Sequence, residues 1–102
     1  VSGSGPAYYF LIMEAMEQVG VELGLSQTVS RQLTLQTALG AAKMASASDV
    51  EPAELRRRVT SPGGTTQRAI ETFIEGDITD LFRKAMSGAV ERAEEMAKEM
   101  AD

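Results

Sequence analysis

Ile78, Phe82, Ala85, Ala89, Ala93, Met96 and Met100 follow one another at steps of 4, 3, 4, 4, 3 and 4. That spacing lines one face of an α-helix, so it predicts a helix running from about Ile78 nearly to the C-terminus. Asp77 stands where its cap belongs, and Asp80 with Lys84 and Glu94 with Lys98 form acid-to-base i,i+4 pairs on the outer face. The apolar stripe covers more turns than the short elements of one small domain can shield. A second copy of the chain is its natural cover, with Ala85, Ala89 and Ala93 letting helices approach and the methionines filling irregular gaps.

Breakers and caps divide the rest. The opening Val1 to Pro6 reads as flexible, and Ser4 or Gly5 before Pro6 starts a first helix reaching about Leu23. Gly24 stops it, and Ser26 caps a second helix over residues 27–47. Within that helix Thr37, Ala38, Gly40, Ala41, Ala42 and Ala45 keep the side-chain layer thin, which predicts a tight helix crossing there. Asp49-Val50-Glu51-Pro52 is turn-like, and Pro52 opens a short third helix to Arg58 or Val59. Residues 60–66 carry the strongest loop signal, and a fourth helix runs from about Thr66 to Glu75, ending at Gly76. The expectation is an all-α domain of about five helices.

At 102 residues one modest core is feasible. Ten basic and fifteen acidic side chains leave a net charge of −5, which repels phosphate backbones and anionic lipid, so neither nucleic acid nor a membrane surface is expected as a partner. With no Cys and no His, disulfides, thiolate and imidazole catalysis and nearly all zinc-site designs fall away. The longest apolar run, Ala7 to Met13, is far short of the roughly 20 residues of a membrane span. A cytoplasmic location is expected, and the abrupt start at Val1 suggests a chain cut from something longer.

Several constellations invite chemistry. Gly3-Ser4-Gly5-Pro6-Ala7-Tyr8 begins like a dinucleotide fingerprint, but Tyr8 stands at the third glycine position and no strand precedes it. Arg56-Arg57-Arg58 spread around a helix without an aromatic platform and read as a solvated face. Glu91, Glu94, Glu95 and Glu99 lack the histidines of di-metal bundles and read as solubilising; Glu14 and Glu17 are tied to no loop motif. Ser61-Pro62-Gly63-Gly64-Thr65-Thr66 differs from all of these. Its proline presets one turn angle, its glycines leave backbone amides uncovered, and a helix N-terminus with free N–H donors follows. Such a loop suits a carboxylate, with the hydroxyls of Ser61, Thr65 and Thr66 as further donors. An N-capped turn with no ligand fits the same residues.

An ordered set of segments carries a resemblance: Ser2-Gly3-Ser4-Gly5-Pro6-Ala7-Tyr8, then Gln36-Thr37 and Gly40-Ala41-Ala42 with Met44, then Leu55, then Val59-Thr60-Ser61-Pro62-Gly63-Gly64-Thr65-Thr66. Together they resemble the C-terminal domain of the pyrroline-5-carboxylate reductase family. The resemblance implies an interlocked helical-bundle dimer like the C-terminal domain of 6-phosphogluconate dehydrogenase, and leaves open assembly beyond the dimer. It also implies reduction of 1-pyrroline-5-carboxylate to proline by NADPH or NADH, with the cofactor on an N-terminal Rossmann domain that this chain lacks, so that the chain alone binds no cofactor and is inactive. Ser61, Gly63, Gly64, Thr65 and Thr66 would bind the substrate carboxylate, with Asp49 toward the ring nitrogen. No catalytic residue and no metal ligand is assigned. Where the family often has Gly-Phe-Arg before its last helix, this chain has Asp77-Ile78-Thr79. Two rivals stand beside this reading: a free-standing helical dimerisation module, and the helical domain of a related dehydrogenase with a catalytic Lys or Asn, a role for which Lys43, Lys84 and Lys98 lack context.

Overall fold

The structure, a computed structural model, describes residues 3–101. Val1 and Ser2, part of the opening read as flexible, lie outside the described residues. Five helices follow in order, α1 (Gly5–Glu22), α2 (Gln27–Ser46), α3 (Pro52–Arg58), α4 (Thr65–Glu75) and α5 (Ile78–Ala101), with no strand among the described residues. None of them is long and apolar enough to cross a membrane. The chain divides into two compact units, Val1–Arg56 and Arg57–Asp102.

In the first unit Pro6 lies in the opening turn of α1, where its missing N–H costs nothing. Ser4 makes no capping bond to the backbone; its hydroxyl pairs with the Tyr8 hydroxyl at 2.9 Å. At the other end Gly24 adopts φ +114°, and the Gly24 and Leu25 N–H groups donate to Val21 and Gly20 carbonyls at 3.0 and 3.1 Å. This left-handed closure satisfies the last carbonyls of α1 and turns the chain at once into α2. The Ser26 hydroxyl then accepts from the Val29 N–H at 3.2 Å, the cap expected of it.

The two helices meet next to that turn. Ser30 Oγ donates to the Glu17 carbonyl at 2.8 Å, and Arg31 Nε pairs with Glu17 Oε1 at 3.1 Å. A Cβ on Gly20 would lie 2.2 Å from Ser30 Oγ, so the approach depends on glycine at that place. No close approach is made at Gly40 within the chain, where a Cβ would meet nothing within 4 Å among the described residues. A short turn places the beginning of α2 against the end of α1, so closeness is set at Gly20 and Ser30.

What this contact buries is polar. Ser30 is 2% exposed and Thr34 8%, whereas no large apolar side chain is buried among the described residues. Tyr9, Phe10 and Leu11 are about two-thirds exposed. A domain of this size ordinarily hides such groups, each contributing roughly 1.5–3 kcal/mol when buried.

In the second unit α4 ends at Gly76 as expected, but Gly76 has an ordinary φ of −76° and Asp77 takes the left-handed φ of 54°. Asp77 also caps α5, its Oδ1 accepting from the Asp80 N–H at 3.3 Å. A single residue thus closes one helix and opens the next, which joins α4 to α5 with minimal chain. Ile70, Phe82, Met86 and Ala89 are half-buried, while Ala85, Ala93, Met96 and Met100 of the predicted stripe are exposed. Asp80 pairs with Lys84 at 3.1 Å, as expected, and with Arg83 at 2.9 Å. The Glu94–Lys98 pair does not form among the described residues. Arg92 instead pairs with Glu95 and Glu99 at 3.0 and 3.4 Å, because its forked guanidinium reaches two acceptors along that face.

Candidate functional site

The Ser61–Thr66 segment is built by three adjacent residues. Pro62 presets one turn angle, and Gly63 at φ +74° supplies the left-handed step of a tight turn closed by the Gly64 N–H donating to the Ser61 carbonyl at 3.0 Å. Gly64 follows in extended backbone as the N-cap of α4, where it offers no side chain to accept an N–H. The first-turn amides of α4, from Thr65 onward, therefore face outward from an uncapped helix start carrying the positive end of the dipole. Ser61, Thr65 and Thr66 are all exposed, so their hydroxyls are available beside those amides.

Space at the turn is limited. A Cβ on Gly64 would come within 3.2 Å of the Ser61 carbonyl oxygen and 3.5 Å of Ser61 Cβ, tighter than ordinary contact. The Gly63 N–H is also committed: it donates to Oε1 of Gln67, whose side chain folds back from the first turn of α4. The sequence reading passed over Gln67. The available signal was its place three residues after the cap, where a Gln reaches back to the backbone before a helix. With the Gly63 and Gly64 amides held inside the turn, the donors left for an anion are the first-turn amides of α4 and the three hydroxyls.

Asp49 lies in the first unit, exposed in the bend between α2 and α3. Glu17, tied to no loop motif, belongs to the contact with Ser30 and Arg31, and Glu14 lies along the same groove. That groove between α1 and α2 is open and has a volume of about 780 Å³, with Phe10, Met13, Val21 and Leu35 among its walls. The Gly3 to Tyr8 segment is a turn running directly into α1. No group of three or more metal-ligating side chains is assembled among the described residues.

Comparison with known proteins places this geometry in context. A family model described as pyrroline-5-carboxylate reductase dimerisation matches residues 1–96. A pyrroline-5-carboxylate reductase of Pseudomonas aeruginosa is 56% identical over 100 residues, covering 98% of this chain and 37% of that protein. One from Vibrio alginolyticus is 49% identical over 98 residues, covering 95% of this chain and 36% of its own length. Among solved structures, a pyrroline-5-carboxylate reductase from Coxiella burnetii superposes with a TM-score of 0.91 at 50% identity, over 93% of this chain and 35% of that one. The NADP-bound pyrroline carboxylate reductase of Plasmodium falciparum gives 0.87 at 34% identity, over 90% of this chain and 35% of its own. The chain spans little more than a third of the length of the relatives it matches.

Proposed function

The chain belongs to the pyrroline-5-carboxylate reductase dimerisation family, and from that premise we propose that it is the dimerisation and substrate-carboxylate-binding part of such a reductase. The whole protein would reduce 1-pyrroline-5-carboxylate to L-proline with NADPH or NADH in the cytoplasm. The described residues contain no strand, and the Gly3 to Tyr8 segment runs from a turn into a helix, so they do not fit a dinucleotide cradle. The cofactor would be held by a Rossmann domain elsewhere in the full-length protein, and it would supply the hydride.

The observation that carries the substrate half is the uncapped start of α4 behind the Ser61–Gly64 turn. A carboxylate there receives N–H bonds from the first turn of α4 and hydroxyl bonds from Ser61, Thr65 and Thr66, while Gly63 and Gly64 form the turn that lets it approach. Anchoring the carboxylate fixes the ring, and with it the C=N carbon that accepts the hydride. An imine that arrives protonated takes up the hydride with no further proton transfer, so the contribution of this chain is position and electrostatics.

The homodimer rests on the exposure of the apolar faces. With no large apolar side chain buried among the described residues, folding needs a second copy to cover α1 and the α5 stripe, through an interface above roughly 2,000 Å². The test of the substrate site is kinetic. In the full-length protein Thr66→Ala should cost on the order of 1.5–3 kcal/mol of substrate binding, a KM increase of about 10- to 150-fold. Gly64→Val should also raise KM, since its side chain presses on Ser61. Unchanged KM values in well-folded variants would leave the loop as a capping turn only. The isolated chain, mixed with NADPH and pyrroline-5-carboxylate, should oxidise no more NADPH than a protein-free control.

A further inference from the structure

Gln67 is the residue at the candidate site to which neither the sequence motif nor the family reading gives a role. It is half-buried at the third position of α4, and its side-chain oxygen accepts the N–H of Gly63. That bond is chemically directional. A backbone N–H can be met only by the oxygen end of the side-chain amide, so the orientation of Gln67 is determined by Gly63.

The turn it holds is costly to keep ordered. Gly63 and Gly64 are adjacent, and two glycines in sequence carry the largest backbone entropy of any pair. Gly64 is restrained through backbone alone, its N–H donating to the Ser61 carbonyl and its own carbonyl accepting from the Arg68 N–H, whereas the Gly63 N–H bonds to Gln67 and needs this side chain. A Cβ at Gly63 would meet nothing within 4 Å, so packing around it does not restrain it.

We propose that Gln67 is a positioning residue that pre-forms the carboxylate loop by holding Gly63, and that its neutral amide is the required chemistry because a charged acceptor there would stand beside the incoming anion. The proposal rests on the carboxylate reading of the Ser61–Thr66 loop. Gln67 acts through Gly63 and the shape of the turn, so substrate binding should depend on it while the turnover of bound substrate should not.

The experiment compares three variants of the full-length protein by steady-state kinetics, with thermal melts to confirm folding. Gln67→Leu keeps the size and helix propensity but has no acceptor. It should raise KM for pyrroline-5-carboxylate by about 2- to 10-fold, the equivalent of one neutral hydrogen bond, with kcat unchanged. Gln67→Glu keeps an acceptor for Gly63 and adds a negative charge. Its KM should be raised in low salt and return toward the parent value in about 1 M salt, where the Debye length falls to about 3 Å, while that of Gln67→Leu stays high. Thr66→Ala separates the two layers of the argument. If it raises KM and Gln67→Leu does not, the positioning role is overturned and the carboxylate site stands. If Thr66→Ala leaves KM unchanged, the carboxylate site falls and this role with it. A Gln67→Leu variant that melts earlier with parental KM would mark Gln67 as a structural latch only, and would also overturn the proposal.

Discussion

The α1–α2 pair and the α4–α5 pair are both helical hairpins, and they treat apolar surface in opposite ways. On α1, Tyr9, Phe10, Leu11, Met16 and Val19 are exposed, while Glu14, Glu17, Gln18 and Glu22 gather on the side that lines the groove with α2. Its contact with α2 is made by small and polar groups, Gly20, Ser30 and Thr34. On α5, by contrast, charges gather on one face, with Asp80, Arg83, Lys84, Arg92, Glu95 and Glu99 paired along it. Large apolar side chains exposed in number require cover, whereas a charged face is kept in water. The difference is that α1 exposes many large apolar side chains, whereas α5 divides into a charged face and an apolar one.

The largest expected effect falls on the apolar face of α5. Ala89 is half-buried on the apolar side of α5, and Ala89→Glu should abolish folding together with association, because an unpaired charge there would be desolvated by the partner. Sedimentation and circular dichroism over a dilution series read both at once. Loss of helix in step with loss of dimer is expected, and a folded monomer independent of concentration would overturn the mutual dependence of fold and dimer.

A smaller change sharpens the α1–α2 side. Gly20→Ala places a methyl against Ser30 Oγ and displaces its bond to Glu17, at a cost of about 1–3 kcal/mol that offsets the roughly 1 kcal/mol gain in helix propensity. Combining it with Ser30→Gly should cost less than the sum of the two single changes, since the clash and the bond disappear together. Additive costs in urea melts would show that the two residues do not meet.

Smaller again is the Glu17–Arg31 pair. With the Arg31 side chain 62% exposed, Arg31→Ala should lower stability by at most about 1 kcal/mol, and less in high salt. The smallest effect is expected at the α4–α5 hinge. Asp77→Gly relieves a left-handed backbone but removes the cap on Asp80, two changes of opposite sign that should leave stability within about 0.5 kcal/mol. Asp77→Ala loses both advantages and should cost more than the glycine variant by about 1 kcal/mol in the same melts.

Helix boundaries were legible in the sequence almost to the residue, and for a local reason. Pro6, Gly24, Ser26, Pro52, Gly76 and Asp77 start or stop helices through bonds and dihedral limits that span no more than a turn, and the family resemblance likewise lay in short ordered segments. The glycine turn and free helix start at Ser61–Thr66 were legible on the same ground. The tertiary structure decided everything that depends on which surfaces come together. It set the close approach of α1 and α2 at Gly20, gave the left-handed dihedral to Asp77 instead of Gly76, joined Arg92 to two acids and left Glu94 and Lys98 apart. It also withdrew the Gly63 and Gly64 amides from the donor set by tying them to Gln67 and Ser61. Helical periodicity states which residues share a face but carries no information about what that face will meet, because the surface that it meets is distant in sequence.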